Sequence, residues 1–214
     1  MGVWGRSGGT PEPDARRRME LAILATGDEA LEFWFGRPGD ADYGRYRDIW
    51  WAKDAAFDET VRSRFLGLYE RAAQGALAAW RSQARSCLAL VLVLDQFPRN
   101  MFRGDARAYA ADTEALATAR HAVAMGFDRG MTVVERVFFY TPFEHGETLA
   151  DQCEAVRLFE ALPEHEGKAE TLRFVRRHLE IIERFGRFPH RNAVLGRATT
   201  AQEAAFLKEP DSAF

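Results

Sequence analysis

The run from Cys87 to Leu94 is apolar without a break and stops at Asp95. A run of this kind suits a buried strand or a buried helix, and periodicity alone does not separate the two. No other segment alternates convincingly between apolar and polar positions, so a strand here would have no partner; the stretch reads as a helix. Polar and cationic groups crowd in directly after it, at Gln96, Arg99, Asn100, Arg103 and Arg107. Pro98 is expected to end the helix and to push Phe97 out of helical geometry. The chain thus passes from apolar interior to charged corner within a few residues.

The corner has an echo. Phe97-Pro-Arg-Asn100 is followed by three residues and Gly104; Phe188-Pro-His-Arg-Asn192, with one extra residue at His190, is followed by three residues and Gly196. The two lie roughly 90 residues apart, too far for one solenoid repeat but consistent with two related helical halves.

The rest of the chain also reads as helices. Asp28 is expected to cap a helix through Phe35, and Asp54 a long one through Ala72, closed by Gly75. Asp112 is expected to cap a helix ending at Gly126. Thr132 with Glu135, and Thr200 with Glu203, form capping boxes. Pro142 is expected to break the chain before a loop, Glu144-His-Gly-Glu147. Thr148 to Leu162 and Gly167 to Phe185 complete eight or nine helices. The fold class is therefore all-α, an antiparallel helical array, with residues 1–18 a disordered basic tail and residues 19–214 one domain.

Composition narrows function by exclusion. Net charge is −3 over 214 residues, so no bulk basic field exists to hold nucleic acid. The cations are nearly all arginines. Cys87 and Cys153 both sit in apolar helical patterns; one disulfide is open to them in principle, but they read as two buried thiols of a cytoplasmic protein. The short apolar stretch after Arg16-Arg-Arg18 carries Glu20 and lacks a convincing cleavage site, so it does not read as a signal peptide, and no stretch reads as long enough to span a membrane. Trp34, Tyr46, Trp50 and Trp51 read as core, and His178 as a core-edge histidine.

Several motifs together resemble one family: Phe33-Trp-Phe-Gly36, Trp50-Trp-Ala-Lys-Asp54, Leu94-Asp-Gln-Phe-Pro-Arg-Asn100 with Phe102-Arg-Gly104, Pro142-Phe-Glu-His145 with Glu147, and Arg184 to Asn192 with Leu195-Gly-Arg197. It is the bacterial family catalogued as domain of unknown function 924, and the resemblance covers roughly residues 28–208. It implies a tetratricopeptide-like array of antiparallel helices and no particular reaction. Gly146 stands where a polar residue is expected, which would loosen the 144–147 loop.

Three constellations carry the candidate chemistry. Guanidinium forks bind carboxylate or phosphate bidentately, so Arg99, Arg103 and Arg107 at one corner and Arg187, His190, Arg191 and Arg197 at the other would form an anion site if the corners meet. The alternative is that each arginine braces its helix through a nearby acid such as Asp95, Asp105 or Glu183. Asp95 ends an apolar helix and needs a cation, Arg99 or an arginine of the second corner. Glu144 and His145 are the acid–base candidates; set at a helix start, Glu144 and Glu147 would otherwise only favour the dipole. Their spacing fits no established metal motif, and no cofactor is implied.

The reading is a small carboxylate or phosphate ligand in an arginine-lined pocket. Asp95, Arg99, Asn100, Arg103, Arg107, Glu147, Arg187, His190, Arg191 and Asn192 would bind it, and Glu144 and His145 would be the catalytic candidates. The rival is a helical scaffold for a protein partner. A hydrolase-type enzyme using Glu144 and His145 is the third reading.

Overall fold

The structure of the protein, a computed structural model, describes residues 26–213; the basic tail expected at 1–18 lies outside them. Among the described residues there are eight α-helices and no strands. They are α1 (Gly27–Phe35), α2 (Ala55–Ala73), α3 (Ala84–Met101), α4 (Asp112–Met125), α5 (Val133–Glu144), α6 (Leu149–Glu160), α7 (Lys168–Phe185) and α8 (Ala201–Phe206). No described helix is long and apolar enough to cross a membrane.

Helix α3 holds the molecule together. Every side chain from Cys87 to Pro98 is buried, so it is apolar nearly all round and packs against α1, α2, α4 and α5. Trp34 of α1 meets Phe97 of α3 and Phe138 of α5 at ring-centroid distances of 5.6 Å each. Successive helices from α2 to α7 pack on one another, and the alternate members α3, α5 and α7 also touch. A smaller cluster of Ile181, Ile182, Phe188 and Phe206 docks α8 and the second Phe-Pro corner onto α7.

Both prolines expected to break helices lie inside them. Pro98 sits in the last turn of α3, which runs on to Met101, where the burial of Phe97 outweighs the local preference against helix. Pro142 sits inside α5. It cannot donate to the Phe138 carbonyl four residues back, but the hydroxyl of Thr141 points at that carbonyl, 3.2 Å away. Glu144 is therefore the last residue of a helix, where the dipole disfavours a carboxylate, and not part of a loop opening one. The two Phe-Pro motifs also differ: the first stays in α3, the second opens a 3₁₀ turn, Pro189–Arg191. What they share is the glycine, since Gly104 and Gly196 take φ of 81° and 65°.

Helix ends and surface side chains also differ from expectation. Thr26, not Asp28, caps α1 through a capping box with Glu29, and Asp112 is the first helical residue of α4 with Ala111 at its cap. The capping boxes at Thr132 and Thr200 form. Cys87 is buried but Cys153 is exposed, and both are free thiols. Trp34 and Trp50 are core, whereas Tyr46 is 50% and Trp51 48% exposed. Trp51 lays one face on Phe138 at 5.8 Å and leaves its other face outward.

Candidate functional site

The C-terminal ends of α3 and α5, the start of α4 and the Pro189–Arg191 turn meet in a cluster of charged side chains. Asp95 of α3 is fully buried. Its Oδ1 lies 2.7 Å from Nδ1 of His145, and its Oδ2 accepts from Gln96 Nε2 at 2.6 Å and faces the Thr141 hydroxyl at 3.3 Å. Arg99, one turn on, brings Nη1 to 3.4 Å from Asp95 Oδ1 and clamps Asp112 bidentately at 2.9 and 3.0 Å. Asp112 Oδ2 also receives Arg191 Nη1 at 3.3 Å, and the same nitrogen donates to the His145 carbonyl at 3.1 Å. Asp95, His145, Arg191, Asp112 and Arg99 thus form a closed ring. Arg99 and Arg191 are the matching arginines of the two echoed motifs, and they share one carboxylate.

Arg191 differs from the other corner arginines. It is 5% exposed, with its guanidinium carbon 4.8 Å from the Tyr109 ring and 4.5 Å from that of Phe188. Nη1 makes both inward bonds; Nε and Nη2, the side edge of the fork, meet no acceptor among the described residues. By contrast, Arg103 commits that edge to Asp58 at 2.8 Å for both bonds, Arg107 to Asp105 at 3.1 and 3.0 Å, and Arg187 to Glu203 at 2.7 and 2.9 Å.

The structure therefore brings together some of the expected residues and not others. Asp95, Arg99, Glu144, His145 and Arg191 share the cluster; Glu147 and His190 lie within charge range of Arg191. Glu147 clamps Arg197 at 2.7 and 3.1 Å and accepts the Phe188 N–H at 2.8 Å, which fixes the entry to the turn. Asn100 and Arg103 face Asp58 instead, and Asn192 and Arg187 face Thr199 and Glu203 in the C-terminal segment. Two surface hollows, of about 360 and 240 Å³, lie elsewhere, one beside Arg120 and Phe143 and the other beside Glu32 and Arg64. No group of three or more His, Cys, Asp or Glu among the described residues is placed to hold a metal ion.

Burial sets the protonation states. It alone would raise the Asp95 carboxyl, but His145 and Arg99 beside it hold it well below the usual range. Burial, and then the Arg99 charge, pull His145 below its ordinary value despite Asp95, because Arg99 already balances that carboxylate. Burial and then Asp95 push Glu144 up to about 8. Its partner is His178 of α7, with Nδ1 3.0 Å from Glu144 Oε1 and 2.9 Å from the Phe174 carbonyl. Burial takes His178 down to about 3 and His190 to about 4. At neutral pH His145, His178 and His190 are neutral and Glu144 keeps its proton. Arg191 is itself lowered to about 10 by burial and by Arg99.

Sequence reasoning missed several members. Asp112 was absorbed by the expectation of a helix cap, and His178 by that of a core-edge histidine. Tyr109 carried no signal. Gln152, fully buried on α6, donates to the carbonyls of Glu144 and Gly146 at 2.7 Å each and so locks the end of α5. Gly146 does not loosen this segment: a Cβ there would lie 2.8 Å from Asp151 Cβ, so glycine permits the close approach.

Fold and site together define an all-α protein with a buried carboxylate–imidazole–guanidinium cluster where its helices end. The chain belongs to the family described as bacterial protein of unknown function (DUF924), matched over residues 30–211. It is similar to a solved protein of unknown function from Agrobacterium tumefaciens, with 41% sequence identity and a TM-score of 0.75, over 85% of this chain and 96% of that one. No curated protein matches the chain.

Proposed function

We propose that the ring binds a small anionic metabolite, a carboxylate or a phosphate, through Arg191. The observation that carries this reading is the side edge of Arg191: two N–H donors in a planar fork, on a buried cation, with no internal acceptor. Desolvating a cation without full compensation is costly, and an anion on that edge offsets the cost. Tyr109 and Phe188 hold the guanidinium plane in place, so little freedom is lost on binding. His145 and Glu144 are the proton-carrying groups of the site. Nε2 of His145 meets no partner among the described residues, while Asp95 fixes the ring from the other side. The free thiols fit a cytoplasmic setting.

The test is thermal unfolding with a panel of carboxylates and phosphates. A ligand at roughly 100-fold over its Kd should stabilise by about 2.7 kcal/mol, raising Tm by on the order of 5–10 °C. Arg191→Ala should abolish the rise. Arg103→Ala, which only frees Asp58, should keep it. No shift with any anion would overturn the reading.

One observation favours a second reading, a tetratricopeptide-like scaffold for a protein partner. Tyr46 and Trp51 are both exposed, and most corner arginines are locked in internal pairs. A single stoichiometric partner lost on Trp51→Ala, with no anion effect, would support it.

A further inference from the structure

We infer that the Arg191 site takes a singly charged carboxylate together with one proton, the proton residing on His145. This rests on the anion-binding reading above and narrows its ligand. The ring contains two acids, Asp95 and Asp112, and two arginines, Arg99 and Arg191, so it is balanced before any guest arrives. The next pair outward, Glu147 with Arg197, is balanced too. A guest on the free edge of Arg191 therefore brings uncompensated negative charge close to Asp112, which already lies 3.3 Å from Nη1. One added charge can be met by one added proton. A dianion would need two, against Asp112, Asp95 and Glu147 together.

The groups around His145 decide where that proton goes. Asp95 and Arg99 face it from α3, Asp112 from α4, Glu144 adjoins it on α5, His178 approaches from α7, and Arg191 comes from the 3₁₀ turn, whose His190 lies within charge range of His178 and Arg99. Glu144 already holds its proton at neutral pH, and the other acids are paired with guanidinium groups. His178 is turned toward Glu144 and the Phe174 carbonyl. His145 is the imidazole whose Nδ1 already faces a fully buried carboxylate, and its side chain remains 15% exposed. Protonated, it adds a cation to the ring, and Asp95 stabilises that imidazolium directly at 2.7 Å. Tyr109, whose ring covers Arg191 and also lies near Arg99, forms the neighbouring wall.

The experiment is isothermal titration calorimetry of the full chain with lactate, benzoate and sulfate at about pH 6.5, in two buffers of different ionisation enthalpy. The expected result is carboxylate binding with uptake of close to one proton, weaker binding of sulfate, and affinity that falls by up to tenfold per pH unit above the free His145 value. His145→Gln should bind carboxylate with no proton uptake; His190→Gln should keep the uptake. Carboxylate binding without uptake, sulfate binding tighter than carboxylate, or uptake lost in His190→Gln and kept in His145→Gln would overturn the inference while leaving the anion site standing. No heat with any of the three probes would overturn both. If His145→Gln does not fold, the two-buffer comparison and the pH dependence of the wild-type protein still decide.

Discussion

Glu144 ends a helix, is buried, and holds its proton up to about pH 8, against 4.5 for an ordinary glutamate. The folded state thus binds this proton more tightly than the unfolded state. The resulting stability is complete below 4.5 and is lost as pH rises toward about 8, at about 1.4 kcal/mol per pH unit. Glu144→Gln has no such proton to lose. Urea unfolding across pH should show the variant gaining on the wild type from about pH 5 and levelling off above about pH 8; a constant difference would remove the assignment. His178 and His190 act in the opposite sense. Their contribution is full above 6.5 and is lost as pH falls toward about 3 for His178 and about 4 for His190. At this scale the sequence was half legible. A carboxylate after an apolar run had to find a cation, and Asp95 did. That it also meets an imidazole from position 145, and that Arg99 reaches past it to Asp112, depends on helix packing that no local spacing encodes.

Helices were legible where their signals were local. Asp54, Thr132, Thr148 and Thr200 cap by bonding within three residues, so sequence was enough. Prolines misled because what rescues them is not local preference. In α5 the Thr141 hydroxyl approaches the carbonyl that Pro142 cannot serve, and in α3 the surrounding core fixes Phe97 in place. The α5–α6 junction depends on the same kind of close fit. Gly146→Ala would place a methyl 2.8 Å from Asp151 Cβ, while Asp151 is tied to the N-terminus of α6 by Thr148. The variant should lose about 1–3 kcal/mol of stability and, by shifting the end of α5, weaken any ligand-dependent rise in Tm. Unchanged stability would show that Asp151 can swing aside.

For the molecule as a whole, the main core around α3 and the small cluster under α8 are distinct apolar bodies. Hydrogen exchange should follow that division, with the amides of α3 slowest and those of α8 among the first to open. Equal protection in both would contradict it. The echo of Phe-Pro and Arg-Asn suggested related halves, and the two arginines do end on one acid, although the backbones around them differ. Asp112 is consequently a latch between remote parts of the chain: it is the one carboxylate that positions 99 and 191 both grip. With that acid neutralised, as in Asp112→Asn, like charges would confront one another inside the protein. The turn bearing Arg191 would be driven outward, and α8 would come away with it.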